Sequence, residues 1–310
     1  MTAEHILKGV MDLNRSFLRI VSVFTAVVIF AMSMVGCGEE KPTRTVSGSL
    51  VFTEENFPKI SATPYTVDTA INYTVAALGV DAETAKTLIT VCDTTDECYV
   101  KLINKECDVV IAHEYGSVTE KALSTNALRF EATEIGRDAL VFLTNGAQAV
   151  DDVTAEQLKS LWSGETADWK TLGTEEAKEL PVTLFTELPG TAVQNAFERH
   201  IDVEVAASAT KRPLKTEKGD FAADIYYDNR NGALGYALLS RSGNFSGGSI
   251  KPLKINSVEP PVANVRSGAY PFTINVNISI RISEPTLSNA RILYNWMASE
   301  QGKKCVVPLY

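Results

Sequence analysis

Residues 136–173, GRDALVFLTNGAQAVDDVTAEQLKSLWSGETADWKTLG, decide the fold class of this chain. They predict a buried strand over 139–144, a polar turn, and a short helix over 154–162 whose apolar residues share one face. Thr154 followed three residues later by Gln157 fits a helix N-cap with a capping-box partner. A buried strand followed by an amphipathic helix indicates a half-buried α/β segment.

The same alternation of strand-like and helix-like segments continues on both sides of this stretch. Helical patterns over 67–79 and 96–106 enclose the strand-like segment TLITVCD (87–93). The apolar segment CDVVIAHE (107–114) is typical of a strand buried on both faces. The last helical pattern, over 286–304, has its apolar residues at helical spacing. Such alternation predicts an α/β protein whose sheets are mostly parallel and flanked by helices.

The N-terminal segment has the properties of an export signal. Three basic residues, Lys8, Arg15 and Arg19, precede an apolar run over 20–34 that is too short to span a membrane comfortably. A small residue then precedes Cys37, in a pattern that resembles the lipobox of bacterial lipoproteins. The pattern predicts that Cys37 is lipidated after the signal peptide is removed.

Residues 1–36 are therefore predicted to be the signal peptide, and residues 37–46 the lipid anchor and its polar tether. Dual or triple acylation of Cys37 would hold the protein stably at the extracytoplasmic face of the bacterial cell membrane, because a single acyl chain binds only marginally. A plain N-terminal membrane anchor is the alternative. Both alternatives place the folded part of the chain outside the cytoplasmic membrane.

The composition of the chain is acidic. The formal net charge is −9, and removal of residues 1–36 changes it to −10 because three basic and two acidic side chains leave. An acidic protein is a poor partner for nucleic acid or for an anionic lipid surface. It can still bind a small anion, because backbone dipoles in a cleft favour negative charge whatever the sign of the exterior.

The chain left after removal of 36 of the 310 residues can bury a substantial core, in one large or two modest domains. The cysteines that follow Cys37 are Cys92, Cys98, Cys107 and Cys305. They permit two disulfides in three pairings, and buried free thiols are the alternative. Their spacing does not favour a structural zinc site.

Several segments resemble, in the same order, the phosphate-binding-protein branch of the periplasmic (type II) solute-binding proteins. They are FPKISATPY (57–65), TTDECYVKLINKECDVVIAHE (94–114), IGRDALVFLTN (135–145), ELPGTAVQNAF (187–197), GALGYALLS (232–240), and SGAYPF (267–272) with NWMASEQGKK (295–304). The resemblance implies two α/β lobes linked by two crossing strands. It also extends to the strand, helix and SGxxxxW order of the first stretch quoted.

The resemblance further implies where the lobes and the ligand lie. Lobe 1 is expected over 47–138 plus 241–310, and lobe 2 over 139–240. The ligand is expected between the lobes, against loops and helix N-termini at the ends of strands. At such places unpaired backbone N–H groups and the helix dipole favour an anion.

Three loops with hydroxyl side chains fit this description. Their candidate ligand-binding residues are Ser61 and Thr63, Thr94 and Thr95, and Gly190 and Thr191. Each loop precedes a predicted helix, so the hydroxyls could hold an oxyanion or could serve only as helix N-caps. His113 is a further candidate, as an anion donor or a pH-sensitive contact, and an ordinary loop histidine is the alternative.

The third loop departs from the resemblance. Phosphate binders of this group carry an arginine shortly before Ser-Gly-Thr, and here Phe185 and Pro189 stand at the positions of the arginine and the serine. Glu187 lies between them and has the wrong sign for a phosphate. Loss of the arginine removes a bidentate, charge-assisted clamp. The basic residues that could replace it are Arg137, Arg230 and Lys211.

Together these features predict a monomeric, membrane-anchored solute-binding protein. It would capture a small, phosphate-like anionic solute between two lobes and deliver it to the permease of an ABC transporter. A surface lipoprotein that keeps the fold as a scaffold, sensor or adhesin is the alternative. Neither catalysis nor a cofactor is expected, because the chain has no GxSxG, HExxH, Walker or GxGxxG motif.

Overall fold

The computed structural model describes residues 44–46, 50–172, 180–211, 232–240 and 250–309. All of them belong to one compact unit, residues 42–310. The predicted signal peptide, the lipidation site at Cys37 and the candidate Arg230 lie outside the described residues. In the described part of the chain, no helix combines the length and apolarity that crossing a membrane requires.

The strands of the described residues include long central ones and short flanking ones. They are β1 (Arg44–Val46), β2 (Leu50–Phe52), β3 (Ile60–Ala62), β4 (Ile89–Val91), β5 (Val109–His113), β6 (Phe130–Asn145), β7 (Asp152–Val153), β8 (Thr183–Thr186), β9 (Thr210–Lys211), β10 (Ala233–Leu238), β11 (Ile250–Pro252), β12 (Lys254–Ile255) and β13 (Thr273–Arg281).

The α-helices alternate with these strands, as the sequence pattern predicts. They are α1 (Val67–Leu78), α2 (Ala82–Thr87), α3 (Thr95–Ile103), α4 (Ser117–Thr125), α5 (Ala155–Ser163), α6 (Ala192–Ile201), α7 (Val262–Ser267) and α8 (Asn289–Met297). Single turns of 3-10 helix follow at Trp169–Thr171 and Gly302–Cys305.

One nine-stranded sheet runs through the molecule in the order β4-β3-β5-β13-β6-β10-β8-β9, with β11 also paired to β6. Strands joined through helices pair in parallel, namely β3 with β4 and β5, and β8 with β9 and β10. At the centre, β6 pairs antiparallel with both β13 and β10. The sheet therefore contains more antiparallel pairing than the helix–strand alternation predicts, because the two crossing strands, β6 and β13, run in opposite directions.

Strand β6 is much longer than the strand predicted within it. The apolar segment over 139–144 is fully buried and forms only the second half of the 16-residue strand Phe130–Asn145. The first half is partly exposed and carries polar residues, so it shows no apolar run. It is a strand because β13 pairs along it, from Ala139 with Thr273 to Phe130 with Arg281.

The helix ends follow the local signals in the sequence. Thr154 caps α5, its hydroxyl accepts a hydrogen bond from the Gln157 N–H, and the Gln157 side chain completes the capping box. Gly164 then ends α5 in the left-handed conformation, at φ 82°. Gly79 ends α1 in the same way, at φ 74°.

Two large hydrophobic cores form, one beside each half of the central sheet. One is built from residues of segments 52–111 and 278–306, and the other from residues of segments 139–239 and 250–274. Trp162 and Trp169, both fully buried, belong to the second core. The lobe limits at 138/139 and 240/241 stay a prediction. Residues of 250–274 pack in the second core and residues of 278–306 in the first, so core packing favours a return of the chain from lobe 2 to lobe 1 within β13 rather than at residue 240.

None of the cysteines in the described part of the chain forms a disulfide. Cys92, Cys98 and Cys107 are buried in a small cluster with Tyr99 and other apolar residues under α3. Cys305 is partly exposed. The sequence left disulfides and unbridged thiols as alternatives, and the structure contains the thiols.

Candidate functional site

The first predicted loop is a tight turn beside the end of β5. The Thr63 N–H donates to Thr66 Oγ1 at 3.1 Å, and the Thr66 hydroxyl donates to the carbonyl of Ile111. The Tyr65 ring packs edge-on against His113, with the ring centroids 5.6 Å apart. Thr63 is fully buried, and its Oγ1 accepts from the Tyr65 N–H at 3.3 Å. The Thr63 hydroxyl therefore holds the turn that precedes α1.

The second predicted loop begins α3. Thr94 is its N-cap, and its Oγ1 accepts from the Glu97 N–H at 3.2 Å. Thr95 opens the helix and is fully buried. The next residue, Asp96, donates its backbone N–H to the carbonyl of Gly190 at 3.0 Å. An N–H at the start of α3, a donor of the kind that could hold an oxyanion, is thus used by the third loop.

The third predicted loop begins α6. Thr191 is its N-cap: its Oγ1 accepts from the Gln194 N–H at 3.3 Å and donates to the Leu188 carbonyl at 2.8 Å. Gly190 is in the left-handed conformation, at φ 82°. A Cβ on Gly190 would lie 3.3 Å from the Cβ of Asp96. The second and third loops are therefore in direct contact.

Asp96 lies at this contact with only 3% of its surface exposed. Its Oδ1 accepts hydrogen bonds from the Gly116 N–H at 2.8 Å, the Thr119 hydroxyl at 2.9 Å and the Asn195 amide at 3.2 Å. Its Oδ2 is buried and has no hydrogen-bond partner. Burial raises the pKa of the Asp96 carboxyl above its usual range, against the opposing effect of these hydrogen bonds.

The loop between β5 and α4 approaches α6 very closely. A Cβ on Gly116 would lie 2.1 Å from Asn195 Oδ1, so only glycine fits there without a shift. Arg199 of α6 adds an ion pair with Glu114 at 2.8 Å and a hydrogen bond to the Tyr115 carbonyl at 2.8 Å. The two predicted lobes are thus joined by a dense polar contact along α6.

The side chains of His113 and Ser61 are fully buried and have other surroundings. The His113 side chain is fully buried, and its Nε2 lies 3.2 Å from Asp138 Oδ2 on the crossing strand β6. Ser61 is fully buried in β3, on the side of the Cys107 thiol. Neither side chain is hydrogen-bonded to Asp96. Their predicted ligand contacts stay untested predictions.

The charges described around the contact are mostly acidic. Glu187 is 8% exposed, and its N–H bonds to Gln194 Oε1 and the Tyr236 hydroxyl. The candidate Arg137 forms an ion pair with Glu134, at 2.9 Å. The Lys211 side chain lies outside what the structure describes.

A cavity of about 570 Å³ opens beside Gly116, Asn195, Arg199 and their neighbours.

The sequence indicated the start of α3 and the start of α6, but not the group that lies between them. Asp96 at the second position of a helix is ordinarily explained by the helix dipole. Gly116 is 20 residues from Asp96 along the chain, and Asn195 is 99 residues from it. No local pattern connects such distant residues, so this part of the site was missed.

The chain belongs to the family described as "PBP superfamily domain", which matches residues 59–286. This match confirms the resemblance to the solute-binding proteins. A curated relative, the phosphate-binding protein PstS of Bacillus subtilis (strain 168), is 26% identical over 165 residues. That alignment covers 53% of this chain and 49% of the relative, so the chain spans about half the length of the curated relative it matches.

Solved structures show the same fold. An ABC-type phosphate transport receptor from Vibrio cholerae superposes with a TM-score of 0.59 and 16% identity, covering 80% of this chain and 99% of that chain. A Clostridium perfringens protein solved with bound phosphate gives a TM-score of 0.57 and 17% identity, covering 79% and 95%. At these identities the likeness establishes the two-lobed α/β fold alone.

Proposed function

We propose that this protein is the extracytoplasmic solute-binding component of an ABC transporter, and that it binds a small phosphate-like oxyanion between its two lobes. The observation that carries the proposal is the contact among the N-terminal parts of three helices, α3, α4 and α6, at one interlobe position. Their backbone N–H groups and dipoles favour an anion without needing a cationic side chain.

The donors at this position are of the right kind for an oxyanion. The Gly116 N–H, the Thr119 hydroxyl and the Asn195 amide already converge on one carboxylate oxygen. A sequence relative named as a phosphate-binding protein, and a protein of the same fold named as a phosphate transport receptor, support the choice of solute class. Phe185 at the expected arginine position implies weaker binding than a bidentate guanidinium clamp would give.

Isothermal titration calorimetry of residues 38–310 against phosphate, sulfate, arsenate and carboxylates tests this proposal. We expect saturable heat with at least one tetrahedral oxyanion, and a thermal shift that grows with its concentration. Absence of both with every anion would overturn the solute-binding proposal. The variant Phe185→Arg restores the charge that the third loop lacks, and it should bind the oxyanion more tightly than the wild type.

Membrane anchoring through Cys37 and export by residues 1–36 are part of the proposal. The protein would act as a monomer without catalytic activity and deliver its solute to a permease. Metabolic labelling with a palmitate analogue tests the anchor, with Cys37→Ser as the matched variant. We expect the label and the membrane fraction to be lost together in Cys37→Ser. Membrane association that persists in Cys37→Ser, with no label in the wild type, would favour the plain N-terminal anchor.

The second candidate function is a surface lipoprotein that keeps the fold without transport, as a scaffold, sensor or adhesin. One observation favours it specifically: the donors of the interlobe position are occupied by Asp96 and Gly190 of the protein itself. Calorimetry separates the two candidates, because the second predicts that no oxyanion binds at any concentration. A permease and an ATPase encoded beside this gene would favour transport.

A further inference from the structure

The Asp96 carboxylate has an arrangement that ordinary helix capping does not explain. Gly116, the N-cap residue of α4, has no side chain to cap that helix. Asp96 reaches over from α3 instead and accepts from the Gly116 N–H and from Thr119 in the first turn of α4. A carboxylate from one helix therefore fills the anion position at the N-terminus of another.

The third donor to the same oxygen comes from the other predicted lobe. The Asn195 amide of α6 donates to Asp96 Oδ1 at 3.2 Å and lies 3.4 Å from the Gly190 carbonyl. The Asp96 N–H donates to that same carbonyl at 3.0 Å. Asp96 is thus bonded through both its side chain and its backbone to the α6 side of the contact.

Two buried oxygens at this place lack partners. Asp96 Oδ2 and Asn195 Oδ1 make no hydrogen bond, and their residues are only 3% and 2% exposed. A buried acceptor without a donor costs free energy, so the Asp96 contact is imperfect as a permanent structural bond. A carboxylate with an incomplete set of hydrogen bonds is easier for a ligand to displace than one whose oxygens are all bonded.

We propose that the Asp96 carboxylate is a built-in occupant of the interlobe anion site, that it ties the lobes together without a solute, and that a solute oxyanion binds by displacing it. Only the displacement of Asp96 by a solute rests on the proposed solute-binding function. The occupancy by Asp96 and the connection that it makes between the lobes concern the protein alone. Asp96 then sets the affinity and selectivity of the site, because an incoming oxyanion competes with a tethered carboxylate for the same three donors.

Chemical rescue of Asp96→Ala tests the occupancy. Removal of the carboxylate leaves a hole lined by anion donors, so formate, acetate and phosphate should raise the Tm of Asp96→Ala more than that of the wild-type protein. Asp93→Ala is the matched control, because Asp93 is exposed in the same loop and its loss changes the charge equally. Equal shifts in all three proteins, with chloride as the ionic-strength reference, would overturn the proposal.

Affinity tests the displacement. We expect Asp96→Ala to bind phosphate about tenfold more tightly than the wild type or Asp93→Ala, because a like charge a few ångströms away opposes the anion by roughly that factor. If Asp96→Ala does not fold, Asp96→Asn keeps the shape without the charge and should show the same direction. Tighter binding in neither variant would overturn displacement.

The two proposals fail in different ways. A wild-type protein that binds no oxyanion, together with an Asp96→Ala protein that formate rescues, would overturn transport and support the built-in occupant. Oxyanion binding by the wild type that Asp96→Ala leaves unchanged, without rescue, would support transport and overturn the built-in occupant. Lobe separation measured between spin labels should also increase in Asp96→Ala without anion and return on addition of formate.

Discussion

His113 Nε2 lies 3.2 Å from Asp138 Oδ2, and neither side chain has any exposed surface. His113 ends β5, whereas Asp138 lies within the crossing strand β6. The other carboxylate oxygen, Oδ1, accepts from the N–H groups of Ala139 and Ser240, at 2.8 and 3.1 Å. Asp138 therefore connects three parts of the chain where it crosses between the predicted lobes.

Asp138→Ala should be strongly destabilising. The change leaves His113, the buried Ala139 N–H and the partly buried Ser240 N–H without their acceptor, and each buried donor left unsatisfied costs about 1–3 kcal/mol. Urea unfolding should show this decrease in the free energy of unfolding, with a smaller loss for Asp138→Asn, which keeps one acceptor oxygen. A loss no larger than that of Glu204→Ala, at an exposed site, would contradict the structural role.

Gly116→Ala should disturb the contact between α4 and α6. The added Cβ would lie 2.1 Å from Asn195 Oδ1, and such overpacking costs roughly 1–3 kcal/mol. Gly136→Ala is the matched control, because its Cβ would have no neighbour nearer than 4.0 Å. Combining Gly116→Ala with Asn195→Ala should recover part of the loss seen in thermal unfolding. Equal effects of the two glycine changes would show that the close approach is not required.

Thr191→Ala should lower stability and leave anion affinity almost unchanged. Both bonds of the Thr191 hydroxyl are made within its own loop and helix, to Leu188 and Gln194. Loss of an N-cap costs about 1 kcal/mol. Chemical denaturation and anion titration on the same preparation separate the two effects, with Thr191→Ser as the control that keeps the cap. A large loss of affinity without loss of stability would instead make Thr191 a ligand contact.

The cysteines should react at very different rates in residues 38–310, a chain that lacks Cys37. Cys305 is partly exposed, while Cys92, Cys98 and Cys107 are buried. Burial also raises the pKa of Cys107 to about 12, so its reactive thiolate is scarce at neutral pH. Ellman's reagent should modify one thiol quickly and the others only on unfolding. Cys305→Ser should abolish the fast phase, and a fast phase that survives this change would contradict the burial.

His200 should make stability depend on pH in the mildly acidic range. Its Nε2 donates to the Thr273 carbonyl at 3.0 Å, but burial lowers the His200 pKa below its usual 6.5. The unfolded chain then takes up a proton more readily than the folded one, so stability is lost as pH falls through 6.5 towards the lowered pKa.

His200→Gln keeps a donor but does not titrate, which makes it the variant for this test. Its free energy of unfolding, measured by urea between about pH 8 and about pH 5, should fall less steeply than that of the wild type. Contributions of the other titrating groups are common to both proteins and cancel in the comparison. Parallel curves would mean that His200 titrates equally in the folded and unfolded chains.

The parts of the candidate site that sequence predicts are those encoded locally. Thr94 and Thr191 were expected to begin helices, and both do, because an N-cap side chain bonds to a backbone group within its own first turn. Asp96 was not expected, because its partners Gly116 and Asn195 belong to other helices. His113 is hydrogen-bonded to Asp138 on the crossing strand, a partner that the sequence did not indicate, and its ligand contact stays a prediction.

The sequence by itself determined helices α1, α3, α5, α6 and α8, the buried strands and the family, because these depend on the spacing of apolar residues and on contacts within a few positions. It did not indicate α2, α4 or α7. The tertiary structure alone decided the length of β6 and the antiparallel pairing at the centre of the sheet, because a partly exposed strand is held by its partner β13. It also decided which group occupies the interlobe position. Asp96 meets Asn195 across 99 residues only once both lobes have folded and packed together.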